Sequence, residues 1–600
     1  MSSPLTDDLP PGRQAMWRSL KLGWRAEPLL LVLAFATTVG AAIPDALFAI
    51  GLSVLAGAVE DSDRSAMVVA ALVLGVLATL SWLLKTIGER ANRRFADRST
   101  VTIEAHVAHL QASVGGIEHH ERPDHLDRLA VLRDQVFTLN HIYMSLFSTA
   151  GAVLRLVLTI ALLASVHPAL VLLAVAAVPT VVASGWASKV ERRVQEAGAS
   201  HNRLARHLFT LATTAAPGKE VRVAQVEARL RVDRRAAWDR WYRPLSRARW
   251  RSATVQSATW AIFGLAYVGS VVFVARGADA SAGDVLLVLA AGSRLSSYVG
   301  QAATEANFLQ GFWLDAARKL AWLEDYAAAN RERADRPVPE RITDAIRFES
   351  VSFSYPGTDR LVLDDVDLTL PAGSVVAVVG ENGAGKSTLV KLLCRFYEPT
   401  AGTITVDGVD LGRFPAEAWR DRLAGAFQDF FRFELAAGHS VGVGDLPRIE
   451  ERPAVETAVV RGGAGDVVER LVQGLDTQLG PTWPDGVEMS FGQWQKVALA
   501  RGFMRDRPLL LVLDEPTAAL DAETEHALFE RFAAAAQAPD GVGDGRITVL
   551  VSHRFSTVRM ADRIIVLDGA KVIEHGTHDE LMAHDGRYAE LYGIQAAAYR

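Results

Sequence analysis

The sequence predicts two regions of different fold class: an all-α region that crosses a membrane, followed by an α/β region. Half of the 600 residues are hydrophobic and the mean hydropathy is +0.15, which is high for a chain with 22% charged residues. One hydrophobic core rarely holds a chain of this length, so the average conceals a very apolar region and an ordinary one. The long apolar stretches all lie before residue 320. Beyond it, strand-like and helix-like patterns alternate around a glycine-rich loop.

Changes in composition along the sequence predict the domain boundaries. Residues 1–20 form a polar tail without the charged start and apolar middle of a signal peptide. Residues 21–325 hold the apolar stretches and form the predicted membrane domain. Residues 326–342 contain a linker rich in Arg, Glu and Pro, and residues 343–600 form the α/β domain.

Six apolar stretches are candidate transmembrane helices. They are residues 28–59, 66–84, 144–166, 168–186, 253–274 and 283–300. The last has the weakest pattern, because Arg294 and three serines interrupt it. Six spans would place both chain ends on the same side of the bilayer.

The distribution of positive charge predicts the orientation. The two long connections, 85–143 and 187–252, are rich in arginine, whereas the short connections carry few positive charges. The positive-inside rule therefore places the long connections, both termini and the α/β domain in the cytoplasm, with the spans in the cell membrane. Turn-forming residues in 117–129 and 215–223 mark the tips of these connections, furthest from the lipid bilayer.

Three charged residues, Asp45, Arg155 and Arg294, lie within or near the apolar stretches. A charge in a membrane span is costly, so these side chains should face a protein interior or a water-filled cavity. They are candidates for lining a substrate path. A structural ion pair, or a position near the membrane interface, explains them equally well.

Charge and cysteine content narrow the function classes. The formal net charge of −6 gives no reason to expect a nucleic-acid partner. The single cysteine, Cys394, excludes an internal disulfide, as expected for a chain exposed mainly to a reducing cytoplasm.

The α/β domain is organised around a phosphate-binding loop. The loop follows the apolar run 374–379 and precedes a helix-like stretch that begins at Thr388. We expect the phosphates to be bound by Gly380, Glu381, Asn382, Gly383, Ala384, Gly385, Lys386, Ser387 and Thr388. Glycines let successive backbone N–H groups point at one anion, at the positive end of the following helix. We expect Lys386 to bind the outer phosphates and Ser387 to ligate Mg²⁺.

A second nucleotide signature follows downstream. The apolar run 509–513 ends in two carboxylates, Asp514 and Glu515. A buried strand explains the apolar run but does not explain two acids at its end. We expect Asp514 to hold Mg²⁺ and Glu515 to polarise the attacking water.

The stretch 489–493 is the most specific motif. Its Ser490, Phe491, Gly492 and Gln493 resemble the Leu-Ser-Gly-Gly-Gln signature of the ATP-binding cassette (ABC) family. The same residues form a capping box at a helix start. Phe491 stands where the family has glycine, and Phe is tolerated there only at negative φ, as one position after an N-cap. We expect the site to remain active.

The resemblance implies further roles, residue by residue. Tyr355 matches the aromatic residue that stacks on adenine, and Gln428 matches the glutamine that senses Mg²⁺. Asp521 matches the loop that crosses the dimer interface, and His553 matches the histidine that contacts the γ-phosphate. ATP and Mg²⁺ are the implied cofactors.

The resemblance covers nearly the whole chain and implies an exporter-type half-transporter, with a P-loop NTPase fold in its nucleotide-binding domain. In this family the signature of one chain closes over the phosphate loop of another, so two chains form two ATP sites. We expect a homodimer, with a heterodimer with a sister half-transporter as the alternative. Asp124 and Glu220, at the two tips, are the expected coupling residues.

We therefore expect ATP-driven export of a small molecule, peptide or lipid by alternating access. Two alternatives share these motifs: an importer of a metal chelate built on the exporter fold, and an ATP-gated membrane regulator without net transport. The spans disfavour a soluble ABC protein that acts on ribosomes or DNA. We expect no leader-peptide cleavage, because no room for a peptidase domain precedes residue 28 and Cys394 lies in the α/β half.

Overall fold

The chain folds into two compact units. The computed structural model describes the parts of the chain given at the end of this paragraph. The first unit comprises Met1–Gln111 and Arg128–Tyr326, and the second comprises Ala112–Asp127 and Ala327–Arg600. A piece of the first long connection therefore packs with the α/β domain. The described residues are 9–122, 125–126, 128–129, 132–133, 139–277, 281–308, 314–330, 334–515, 545–552 and 554–598.

The first unit is built from long helices. Among the described residues, five helical segments are long and apolar enough to cross a membrane: Pro28–Glu60, Arg64–Ala112, His141–Val166, Pro168–Ala197 and Glu227–Ala275. The first of them consists of two helices, Pro28–Gly40 and Ala42–Glu60, and the fourth begins with a short 3-10 turn, Pro168–Val171. Other helices described in this unit are Gly12–Ala26, Ala199–Thr213, Ala215–Val223, Ala282–Phe308 and Leu314–Ala329.

The sixth predicted span forms a helix, Ala282–Phe308, but is not among the five segments that reach transmembrane hydropathy. Asp284, Arg294 and the serines lower its hydropathy, so the count of six spans stays a prediction. Two helices, Arg64–Ala112 and Glu227–Ala275, have 49 residues each. At 1.5 Å per residue each is about 74 Å long, more than twice the ~30 Å hydrocarbon core. They extend well beyond the bilayer, as expected of the long connections.

The apolar segment of the helix Arg64–Ala112 is largely exposed. In the apolar window of Arg64–Ala112 only 6% of the residues are buried within the chain. Val68, Leu72 and Val76 are each at least 60% exposed. Such a continuous exposed apolar face suits a hydrocarbon environment and would be a liability in water.

The described residues of the second unit form two β-sheets. Their strands are β1 Ala345–Ser354, β2 Leu361–Pro371, β3 Val375–Gly380, β4 Ala401–Val406, β5 Val409–Asp410, β6 Leu423–Ala426, β7 Leu510–Asp514, β8 Ile547–Val551, β9 Arg563–Asp568 and β10 Lys571–Gly576. An antiparallel sheet has the strand order β2-β1-β4-β5, and a six-stranded sheet has the order β10-β9-β3-β8-β7-β6. In the larger sheet the pairs from β9 to β6 are parallel, and β10 pairs antiparallel at the edge.

Strand β3 lies inside the larger sheet, so both of its faces are covered and its residues are apolar throughout. Because the strands from β9 to β6 are parallel, their carboxyl ends meet at one edge, where ligands bind in open α/β sheets.

The helices described in this unit are Glu118–Glu121, Lys386–Leu393, Ala416–Arg420, Ala437–Gly442, Arg452–Arg461, Gly465–Arg470, Phe491–Gly502, Phe555–Val558, His578–His584 and Arg587–Ala598.

Trp419 joins the helix after β3 to the core. Its side chain is fully buried, its Nε1 donates to the Leu393 carbonyl at 2.9 Å, and its ring stacks on Phe414. We expect Trp419→Ala to destabilise the unit by about 3–5 kcal/mol, through the cavity and the unpaired carbonyl. Thermal unfolding of the full chain in detergent measures this as a lower midpoint. Trp483→Ala, at a side chain 54% exposed, is the control, and equal midpoints for both variants would contradict the prediction.

Candidate functional site

The phosphate-binding loop has the predicted strand, turn and helix order. It begins at the end of β3 and continues into the helix Lys386–Leu393. Gly380 and Gly385 adopt positive φ, at 154° and 105°. A Cβ on Gly385 would lie 2.7 Å from the Val362 carbonyl oxygen, so a side chain fits neither the backbone conformation nor the space.

Lys386 is the buried cation of this loop. Its ammonium donates to the carbonyls of Gly380 at 2.8 Å and Glu381 at 3.0 Å. Burial lowers the pKa of Lys386, while the carboxylates of Glu515 and Asp514 act in the opposite direction. The structure therefore brings the cation and both predicted acids into one electrostatic group.

Asp514 ends β7, with Glu515 directly after it. Burial raises the pKa of Asp514 to about 6; the Glu515 carboxylate adds to the rise, and the Ser387 hydroxyl and Lys386 oppose it. The Oδ1 atom of Asp514 is buried and accepts no hydrogen bond from the residues that the structure describes. A carboxylate oxygen in that state, beside a hydroxyl, is a donor set that Mg²⁺ prefers. Glu515 has φ of 47°, and its N–H donates to the Val551 carbonyl at 2.9 Å.

The pairing of the strands places Gln428 at the same edge of the larger sheet. Strand β6 pairs in parallel with β7, with Ala426 opposite Leu513, so the residues just beyond both strands lie at the same edge. Gln428 is exposed there. Two other predicted residues, Asp521 and His553, lie outside the described residues. Strand β8 ends two residues before His553, and its Val551 pairs with Asp514.

Tyr355 lies beside the helix that follows the phosphate loop. Its hydroxyl is 3.0 Å from the Thr388 hydroxyl, and its ring packs edge-on against Tyr397. The Lys391 ammonium lies 5.2 Å from the centre of the Tyr355 ring. The tyrosine is thus held next to the loop, and its role in adenine stacking stays a prediction.

The signature residues begin the helix Phe491–Gly502. Ser490 is the N-cap: its hydroxyl accepts from the Gln493 N–H at 3.3 Å, and the Gln493 side chain accepts from the Ser490 N–H at 2.8 Å. The predicted capping box is confirmed. Phe491 is helical and does not have positive φ, so it imposes no backbone strain, as expected.

Ala112–Asp127, which contain most of the first predicted tip, 117–129, belong to the second unit. Glu121 accepts a hydrogen bond from Lys391 at 2.7 Å and another from the Tyr397 hydroxyl. Burial acts to raise the pKa of Glu121, but these two hydrogen bonds leave it below its usual value. The Ile117 N–H donates to the Phe396 carbonyl at 3.2 Å.

Sequence reasoning missed Glu121 and chose Asp124, which lies outside the described residues. The pairing joins residues 270 positions apart, so local pattern gives no sign of it. The second predicted coupling residue, Glu220, is exposed on the short helix Ala215–Val223. Its role stays a prediction.

The three predicted cavity residues come together inside the first unit. Arg294 donates to the Asp45 carboxylate at 3.2 Å and to its backbone carbonyl at 2.9 Å, and Tyr298 donates to the same carboxylate at 2.9 Å. Arg155 Nε lies 3.8 Å from that carboxylate. The cluster therefore holds two guanidinium groups around one carboxylate. Its side chains remain partly accessible, at 16% for Arg155 and 37% for Arg294.

Comparison with known proteins agrees with these motifs. Residues 363–518 match the ABC transporter family model. The chain is 39% identical over 320 residues to an ATP-dependent lipid A-core flippase of Chromohalobacter salexigens, covering 53% of this chain and 52% of the relative. It is 36% identical over 317 residues to the protein of the same name in Aromatoleum aromaticum, covering 53% and 50%. The chain thus spans about half the length of the curated relatives it matches.

Similarity to a solved structure covers both units of the chain. A solved structure of a bacterial Atm1-family ABC exporter with ATP bound superposes with a TM-score of 0.72, at 24% identity, covering 97% of this chain and 98% of the other. This likeness confirms the predicted fold class, a helical membrane domain followed by an α/β nucleotide-binding domain. Residues 363–518 of the chain therefore match the ABC transporter family, and the whole chain has the fold of that exporter structure.

Proposed function

We propose that the protein is an ATP-driven exporter that works by alternating access. The observation that carries the proposal is one charged group formed by the buried Lys386 and Asp514 and the partly buried Glu515, on a chain that also holds a capped signature helix. Membrane helices precede this group in the same polypeptide. The flippase name of the relatives and the exporter fold support the same function.

The proposed unit is a homodimer in the cell membrane, with both termini and the ATP-binding domain in the cytoplasm. Because each chain supplies one signature helix and one phosphate loop, two chains are needed to complete an ATP site. The signature helix of one chain would close over the phosphate loop of the other. A heterodimer with a sister half-transporter is the alternative. Co-expressed chains that each carry one added cysteine, Asn382→Cys in one and Glu488→Cys in the other, should crosslink through these cysteines in the presence of ATP and vanadate. Chains that crosslink equally without nucleotide would contradict closure.

Ser387, Asp514 and Gln428 are the residues we propose to hold Mg²⁺. The orphaned buried oxygen of Asp514 supports the assignment. When bound, the ion would neutralise charge on the outer phosphates. Ser387 and Asp514 orient it, Lys386 binds the phosphate oxygens, and Glu515 holds the water and accepts its proton.

We propose that Glu121 couples the cassette to the membrane helices, since its tip continues into them along the chain. In Glu121→Gln, nucleotide-driven change in the membrane domain should fall by roughly two- to tenfold, the range for one hydrogen bond of about 0.5–1.5 kcal/mol. ATP affinity should stay unchanged. The readout is labelling of a cysteine at Asp61, between the first two spans. Burial raises the pKa of the native Cys394 thiol to about 12, so that thiol will not compete for the label.

The matched control is Glu118→Gln. Glu118 lies on the same short helix but pairs with Arg122 at 3.0 Å, within the tip. This variant should label like the wild type. Equal responses from the two variants would remove Glu121 as the coupling residue. Glu220→Ala tests the second tip with the same assay and should also reduce the response.

The substrate class we propose is an amphiphile with an anionic group. The cluster of Asp45, Arg155 and Arg294 carries one more positive than negative charge. An unbalanced positive charge within a membrane domain is stabilised when an anionic group binds to it. A lipid, small molecule or peptide would all qualify. In nanodiscs, anionic amphiphiles should stimulate ATPase activity more than neutral analogues of the same chain length. Arg155→Gln should abolish that preference, whereas Arg249→Gln, on a half-exposed side chain, should keep it.

The direction of substrate transport distinguishes an exporter from a chelate importer and from a regulator. In inside-out vesicles an exporter accumulates substrate on ATP addition. An importer depletes preloaded substrate, and a regulator changes conformation without moving any.

A further inference from the structure

Phe491 departs from the family signature, and the structure shows what it contacts. The residue begins the signature helix and is 51% exposed. Its ring centre lies 5.3 Å from that of Phe430, tilted by 41°, and the Arg432 guanidinium lies 5.9 Å from the same ring. Aromatic pairs at this spacing attract each other beyond the area they bury. A glycine at position 491 could make neither contact.

Phe430 is a firm partner. It packs against the core cluster that contains Met489 and Trp494, which flank the signature on both sides. Phe491 therefore covers a side chain that is already anchored, and it joins the first turn of the signature helix to the segment just after Gln428.

The other end of the signature helix holds the same segment. Arg501 donates to the Phe431 carbonyl at 3.1 Å and to the Ser440 carbonyl at 2.9 Å, and its guanidinium lies 4.5 Å from the Phe433 ring. Residues 430–433 are thus attached at both ends of the helix. Arg501 makes the contact at the C-terminal end of the helix. Phe491 makes the contact at its N-terminal end, beside the signature residues Ser490, Gly492 and Gln493.

We propose that Phe491 is a positioning residue that ties the signature to the segment following Gln428, so that the two move as one body when the cassette closes on the partner's nucleotide. The proposal rests on the proposed function. Loss of the ring would leave the catalytic groups intact but make the closed arrangement harder to reach, because the signature turn would lose its support.

The test is steady-state ATPase kinetics of the full-length protein in nanodiscs. Phe491→Gly should raise the ATP KM by roughly fivefold or more, with kcat at saturating ATP within about twofold of the wild type. Phe491→Tyr, which keeps the ring, should behave as the wild type. Phe430→Leu should resemble Phe491→Gly. The double variant should be no worse than either single variant, since both substitutions remove the same contact between the two rings.

The controls separate the possible failures. Leu446→Ala removes an exposed apolar side chain elsewhere in the unit and should leave KM unchanged. Additive effects of the two single variants, an unchanged KM, or faster hydrolysis in Phe491→Gly would each overturn the proposal, the last because Phe491 would then obstruct the site. Should Phe491→Gly fail to fold, Phe491→Leu and Phe430→Leu provide the same cycle. A wild type without ATPase activity would instead refute the proposed function.

Discussion

Glu515→Gln should hydrolyse ATP about 10²- to 10⁴-fold more slowly than the wild type while still binding it. The amide can hold a water but cannot accept its proton. Glu515 has left-handed backbone, with φ of 47°, and Gln keeps a Cβ of the same kind, so the substitution changes the chemistry without changing the backbone preference. The measurements are single-turnover hydrolysis and the fraction of nucleotide that stays bound after rapid dilution.

The control is Glu349→Gln, which changes an exposed carboxylate on β1. It should hydrolyse at the wild-type rate. Near-normal turnover in Glu515→Gln would show that another group accepts the proton. A fall in ATP affinity with unchanged turnover of bound nucleotide would assign Glu515 to binding instead.

Lys386→Ala should reduce ATP affinity by at least ~100-fold and bring hydrolysis to background. The ammonium donates to two loop carbonyls, which hold it within the loop. Each charge-assisted hydrogen bond that it makes to a bound phosphate would contribute about 1.5–3 kcal/mol, and two such bonds account for a loss of this size. Burial lowers the pKa of Lys386, but the neighbouring carboxylates oppose this and favour the cation. Equilibrium binding of a fluorescent ATP analogue to the full-length protein measures the loss directly.

Lys571→Ala is the matched control, since Lys571 is a 59% exposed cation on β10 that pairs with Asp364. It should bind ATP as the wild type does. Unchanged affinity in Lys386→Ala would mean that the loop N–H groups alone hold the phosphates, and the role assigned to the lysine would be wrong.

The parts of the site that lie on contiguous motifs were predictable. The phosphate loop, the pair Asp514 and Glu515, and the capped signature helix each depend on residues within about ten positions of one another. Over that distance strand, turn and helix geometry place the side chains almost independently of the rest of the fold. The predicted capping box and the helical backbone of Phe491 are both confirmed.

Contacts between distant segments were not predictable. The pairing of Glu121 with Lys391 brings a membrane-domain connection onto the cassette, and no local pattern distinguishes Glu121 from the other acids of that tip. The same holds for Phe430 and Phe491, whose contact turns a departure from the family motif into a supported helix start. Asp45, Arg155 and Arg294 were recognised as costly charges, but their shared pairing required the packed helices.

The sequence by itself predicted the division into a helical membrane domain and an α/β domain, the resemblance to the ABC family, and the candidate phosphate-binding, acidic and signature residues. Tertiary structure decided which of those residues share a site, what supports Phe491, and which acid of the first tip contacts the cassette. The reason is physical: hydrophobic periodicity and turn chemistry act along the chain, whereas burial, ion pairing and ring packing depend on segments that only folding brings together.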